Sequence, residues 1–136
     1  MTAARYLLDT NICIYIARQR PPEVFARFER IAPGEAVISV ITWGELCYGA
    51  EKSKRRDDVL ALLNEFSALV PVAAMPKAAG EAYGDIRATL ESKGTPISNN
   101  DLWIAAHART ARLTLVSHNT GEFERVPGLR VQSWVS

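Results

Sequence analysis

The chain has 136 residues, the size of one domain, and is long enough to bury a core without disulfide or metal staples. Hydrophobic residues make up 48% and charged residues 23%, with a formal net charge of +1, which excludes a disordered chain and a globally basic nucleic-acid coat. A polyanion would have to be caught by a local patch. Arg18 and Arg20, or Lys52, Lys54, Arg55 and Arg56, are candidates, and each group also reads as a solvated helix end.

The elements follow from periodicity and breakers. Arg5 to Leu8 reads as a short strand. A helix starts at Thr10 or Asn11 and runs to Arg18, ahead of Pro21-Pro22. Glu23 to Ile31 is a second helix, with Val24, Phe25, Phe28 and Ile31 on one face. After a turn at Pro33-Gly34, Ala36 to Val40 reads as a buried strand. Helices are expected over Thr42–Glu51 and Arg56–Leu69, and a short strand over Val70–Ala74. A long helix runs from Lys77 to Lys93 and stops at Gly94, a good residue just past a helix end. Asn99 to Ala111 is a helix, Leu113 to Val116 a strand, and Arg130 to Val135 a last strand. Strands alternating with helices predict an α/β fold, a mainly parallel sheet sandwiched between helices in one domain over 1–136.

Ligands of open parallel sheets bind beyond the carboxyl ends of the strands. The polar residues there are Asp9 after the first strand, Glu45 early in the helix after Val40, Asp101 in the first turn of the helix after Gly94-Thr95-Pro96-Ile97, and Asn119 after Val116. Each has an ordinary reading. Thr42-Trp43-Gly44-Glu45 and Ser98-Asn99-Asn100-Asp101 fit helix-start patterns, the first a capping box. Asp9 complements the positive end of the helix behind it, and Asn119 suits a turn. The set is harder to explain that way. Ile104, Ala105 and Ala108 lie three, four and seven residues beyond Asp101, so its carboxylate shares the buried side of its helix. Crowded, partly buried carboxylates cannot all stay ionised without a cation. Mg²⁺ suits oxygen donors and keeps several of its waters.

Four segments carry a family resemblance. Tyr6-Leu7-Leu8-Asp9-Thr10-Asn11-Ile12, Ile38-Ser39-Val40-Ile41-Thr42-Trp43-Gly44-Glu45-Leu46-Cys47-Tyr48-Gly49, Gly94-Thr95-Pro96-Ile97-Ser98-Asn99-Asn100-Asp101-Leu102-Trp103-Ile104-Ala105-Ala106-His107-Ala108 and Leu115-Val116-Ser117-His118-Asn119-Thr120-Gly121-Glu122-Phe123 resemble, in order, the signatures of PIN-domain ribonucleases. The form is most similar to VapC-type toxins of toxin–antitoxin pairs. The resemblance implies a PIN-like fold and a Mg²⁺- or Mn²⁺-dependent endoribonuclease that inhibits translation. It further implies a homodimer, open to higher-order assembly, and a cognate VapB-type antitoxin whose tail covers or disturbs the acidic site. The substrates it implies are structured cellular RNAs, with the Gly-x-Pro-Ile-x-x-Asn-Asp-Leu form pointing to initiator tRNA cut in its anticodon loop. Asp9, Glu45 and Asp101 match the family's acids. Its fourth acidic position, often Asp, is placed here on Asn119, which speaks against a second tightly bound metal. By this resemblance Asp9 and Asp101 hold the metal, Glu45 positions or deprotonates the attacking water, and Asn119, Thr10 and Asn11 orient water or substrate. The products expected are a 5′-phosphate and a 3′-hydroxyl.

Other residues are less specific. Cys13 and Cys47 lack any metal-ligand spacing and read as small hydrophobes in a reducing compartment. No long apolar leader or span is evident, so a cytoplasmic protein is expected. His107 reads as structural and His118 as an exposed turn residue beside the site. Trp43, Tyr48 and Trp103 read as packing residues or as base-stacking partners. Val59, Leu62, Leu63 and Phe66 read as core or as a groove for a partner helix. Two other functions fit parts of the sequence. One is a binding module that holds RNA or antitoxin and cleaves little. The other, a haloacid-dehalogenase-type phosphatase, needs a second acid where Asn11 stands. Neither GxGxxG nor a Walker loop is present for nucleotide binding.

Overall fold

The computed structural model describes residues 3–136. Strand β1 (Tyr6–Leu8) leads into α1 (Thr10–Arg18) and α2 (Pro22–Glu29). Strand β2 (Ala36–Val37) is followed by α3 (Val40–Lys52), α4 (Arg56–Leu69), α5 (Ala78–Ser92) and α6 (Asn99–Ala111). Strand β3 (Thr114–Val116), the short α7 (Thr120–Phe123) and strand β4 (Val131–Gln132) complete the order. The sheet has four parallel strands in the order β2-β1-β3-β4, with Leu7 paired to Val37 on one side and to Leu115 on the other.

Alternation along the strands divides the core into two layers. Tyr6, Leu8, Ala36 and Val116 point to the face covered by α1 to α4, where they pack with Ile12, Ile16, Val24, Leu46 and Leu63. Leu7, Val37 and Leu115 point to the other face, against Ile86, Leu90, Leu102, Ala105 and Phe123 of α5, α6 and α7. Near-continuous apolar strands are what a sheet covered on both faces requires. Gly94 has φ +70°, the left-handed value expected just past the end of α5, and Thr95 N–H closes back on the Leu90 carbonyl at 2.9 Å.

Several boundaries differ from the sequence expectation, and each has a local cause. The strand expected over 36–40 ends at Val37, because the Ser39 hydroxyl accepts the Thr42 N–H at 3.1 Å and caps α3, which starts at Val40. Thr42 is therefore inside the helix, and no capping box forms between it and Glu45. The segment expected as a strand over 70–74 makes a single parallel bridge, Ile38 to Val72. The last strand is shortened to β4, and the second helix starts at Pro22, a residue suited to a first helical position, and ends at Glu29. Helix α7 was not expected: its four residues are too few for a periodic signal.

Candidate active site

The ends of β1, β2 and β3 and the starts of α1, α3, α6 and α7 bring the candidate residues to one edge of the sheet. β1 ends at Leu8, so Asp9 becomes the N-cap of α1, its Oδ1 accepting the Ile12 N–H at 3.0 Å. β3 ends at Val116, and the next side chain, Ser117, donates its hydroxyl to Asp9 Oδ2 at 2.5 Å. Asp9 is only 6% exposed. Burial raises its pKa above the ordinary aspartate value; the Ser117 and Ile12 hydrogen bonds pull the other way, and the charge of Glu45 raises it further.

Glu45 projects from the second turn of α3 and accepts the Thr10 hydroxyl at 2.7 Å. That contact ties the start of α1 to α3 and fixes one carboxylate oxygen, leaving the other for a proton or water. Asn11 is exposed and makes no side-chain hydrogen bond among the described residues. Ser98 caps α6 and accepts the Asp101 N–H at 3.4 Å. The Asp101 side chain is half-buried, with Ile104, Ala105 and Ala108 buried below it on the same helix. Its pKa is pushed up to about 6, first by burial and then by the negative charges of Glu122 and Asp9.

Glu122 was missed in the sequence. Its Oε1 accepts the Ser98 N–H at 3.4 Å, its Oε2 accepts Asn119 Nδ2, and its charge acts on Asp101. Asn119, the residue placed on the fourth acidic position, therefore acts as an amide clamp on a real acid three residues further on. Ser117 was missed as well. Its only signal was its place directly after a strand, at the same edge as Asp9.

The remaining candidates separate. His118 is exposed, lies edge-on to Tyr15 with ring centroids 6.2 Å apart, and its charge lowers the Asp9 pKa. Trp43 packs against the core layer of α1 to α4, and Trp103 stacks on Tyr83 at 4.0 Å. Tyr48 is 63% exposed beside the Lys52 ammonium. Both cysteines are free, and burial pushes the Cys13 thiol up, so it is no nucleophile. His107 is buried with Nδ1 unpartnered among the described residues.

The charged groups at this edge are carboxylates, Asp9, Glu45, Asp101 and Glu122, with hydroxyls and the Asn119 amide beside them. Among the described residues no three His, Cys, Asp or Glu side chains converge closely enough to ligate one ion directly. Two carboxylates with raised pKa values and little direct convergence fit a hard divalent cation that keeps much of its water shell. They do not fit a closed zinc cage.

Comparison with known proteins agrees with this arrangement. A profile described as the PIN domain matches residues 6–129. The chain is 46% identical over 132 residues to Ribonuclease VapC2 of Haemophilus influenzae, spanning 96% of this chain and 98% of that protein. It is 42% identical over 130 residues to the tRNA(fMet)-specific endonuclease VapC of Shigella flexneri, at 96% and 98% coverage. DNA-bound VapBC from Salmonella typhimurium superposes with a TM-score of 0.89 at 39% identity, covering 96% of this chain and 98% of that one. The chain belongs to the PIN-domain family, in its VapC ribonuclease branch.

Proposed function

We propose that this chain is the toxin of a toxin–antitoxin pair, a divalent-metal-dependent endoribonuclease that cuts a structured cellular RNA and so stops translation. The observation that carries this reading is the placement of buried Asp9 and half-buried Asp101, both with raised pKa values, at the carboxyl edge of a parallel sheet. Such groups gain most from a cation, and a phosphodiester is the substrate that a cation in an acidic pocket attracts. The relatives are named as ribonucleases and endonucleases, which favours cleavage over a role limited to binding.

Asp9 and Asp101 are the residues to hold Mg²⁺ or Mn²⁺, in part through water. The ion, when bound, lowers the pKa of water and offsets charge building on the phosphate. Glu45, steadied by Thr10, is placed to accept the proton of the attacking water. Ser117 keeps Asp9 in one rotamer. Glu122 and Asn119 complete the rim beside Asp101 and orient water there, with Asn11 exposed to the substrate side. The substrate favoured is initiator tRNA, on the name of the Shigella relative and the similarity of the whole chain to it. The solved neighbours from Salmonella typhimurium and Rickettsia felis are VapBC complexes bound to DNA, which supports a VapB-type antitoxin as partner; a homodimer is part of the proposal. No helix of the described residues is long and apolar enough to cross a membrane. Two free cysteines and an RNA substrate favour the cytoplasm.

The test is purified chain, free of any partner, incubated with total tRNA in Mg²⁺, Mn²⁺ or EDTA, beside Asp101→Asn. A discrete cut that needs the metal, fails in the variant and leaves a 5′-phosphate supports the reading. Products ending in a 2′,3′-cyclic phosphate, or cleavage unaffected by EDTA, would overturn it in favour of a metal-free acid–base route.

A further inference from the structure

An acidic pocket repels the RNA it is meant to cut, and a net charge of +1 gives no general attraction to offset this. Something local has to hold the backbone. An open groove of about 630 Å³ leads away from the acids between the Pro96–Ser98 segment and α7. Glu122 forms its acid end, joined to Ser98 and Asn119 by the hydrogen bonds described above. Arg125 lines the same groove from the turn after α7.

Among the described residues Arg18, Arg20, Arg27, Arg30, Arg112 and Arg130 share with Arg125 the lack of a carboxylate partner, but of these only Arg125 lines this groove. Arg5, Arg56, Arg87 and Arg109 are each committed to a carboxylate, at 2.8 to 3.2 Å. Arg125 is exposed and forms no such pair among the described residues, although Glu122 lines the same groove. Its one hydrogen bond is a long one, 3.5 Å from NH1 to the Pro96 carbonyl. That contact holds the side chain across the groove while leaving most of its N–H fork free. A free planar fork is the group that grips phosphate at two points.

We propose that Arg125 binds a backbone phosphate of the RNA substrate, in a nucleotide subsite formed by the groove between Pro96–Ser98 and Asn119–Arg125. The assignment rests on the nuclease reading above. Arg125 touches the strand along the groove that Glu122 also lines. It contributes to binding rather than to bond cleavage.

Arg125→Gln removes the charge and the fork. The expected result is a KM for RNA raised roughly tenfold, the loss of one charge-assisted contact, with kcat nearly unchanged. In Asp101→Asn, which binds without cutting, adding Arg125→Gln should reduce the slope of log Kd against log salt by about 0.7 to 0.9, the value for one phosphate contact. Arg125→Lys should restore the slope but only part of the affinity. A parent chain that cuts RNA while Arg125→Gln keeps its KM and salt slope would overturn the subsite and leave the nuclease reading intact. A lowered Tm with unchanged KM and slope would also overturn it, making Arg125 a strut on Pro96. If the parent chain cuts nothing, the nuclease reading fails on its own; the slope difference still supports the subsite, and equal slopes or no RNA binding overturn it.

Discussion

The corner around Asp9 and the corner around Asp101 are built from the same parts and end in different states. Each aspartate stands at the start of a helix, Asp9 as the N-cap of α1 and Asp101 in the first turn of α6, where the backbone favours a negative charge. Each follows the sheet's carboxyl edge and has a serine partner. At the Asp9 corner both carboxylate oxygens are occupied, by the Ile12 N–H and by the Ser117 hydroxyl, in an almost solvent-free setting. At the Asp101 corner the serine hydroxyl accepts the backbone N–H at a longer 3.4 Å, and its pull on the carboxyl pKa is opposed by another acid, Glu122. One carboxylate is structurally committed, and the other is left half-exposed and electrostatically opposed. A rigid anchor and an unsatisfied acid, side by side, suit a site that must fix a cation and still exchange water and substrate around it.

The largest effect expected from this contrast is in stability against activity. Asp101→Asn should abolish cleavage by ~100-fold or more while leaving Tm unchanged or raised, since repulsion with Glu122 is relieved. Asp9→Ala should abolish cleavage too and also cost about 2 kcal/mol of stability, through the lost cap and a stranded Ser117 hydroxyl. Paired single-turnover assays and urea melts distinguish the two. Equal loss of stability in both variants would erase the contrast.

The pH dependence should follow the same division. The metal-free pKa of Asp101, about 6, lies above its unfolded value of 3.8. The folded state then binds more protons between those values, so the contribution of Asp101 is fully present below 3.8 and is lost as pH rises through about 6. In EDTA, Tm measured from pH 4 to pH 7 should show this decline, and saturating Mg²⁺ should flatten it. In the same window Glu122→Gln should bring the Asp101 titration down, followed by carboxyl NMR. An unmoved Asp101 would mean that burial alone sets its value.

A smaller effect is expected at Ser117. Ser117→Ala removes the strongest of the contacts that lower the Asp9 pKa, so the acidic limb of the cleavage profile should move up. The smallest effect comes from a hydroxyl with no such partner. Thr42 is fully buried with Oγ1 unpaired among the described residues. Thr42→Val should therefore leave cleavage unchanged and stability equal or higher by up to about 1 kcal/mol, read from the midpoint of a urea melt. A clear loss of stability would show that this hydroxyl has a partner such as water.

The element pattern and three of the acids were legible from local signals. Asp9 ends an apolar strand, Gly94 ends a helix with its left-handed backbone, and the buried side of α6 was plain from Ile104, Ala105 and Ala108. The cap of α3 was misread by three residues, because Ser39 and Thr42 are both good capping types and only the backbone path selects one. Asn119 drew attention away from Glu122 because α7 is a single turn, too short to show which of its side chains faces α6.

The sequence by itself determined which residues could be charged at the sheet edge, since alternation and breakers are local properties of the chain. The tertiary structure decided how each charge is held. Ser117 and Asp9 are separated by 108 residues, Thr10 and Glu45 by 35, and Ser98 and Glu122 by 24. The first two pairings follow from β1 lying between β2 and β3, and the third from the start of α6 meeting α7. Burial, which raises both aspartates, is a property of the packed layers and not of any segment alone.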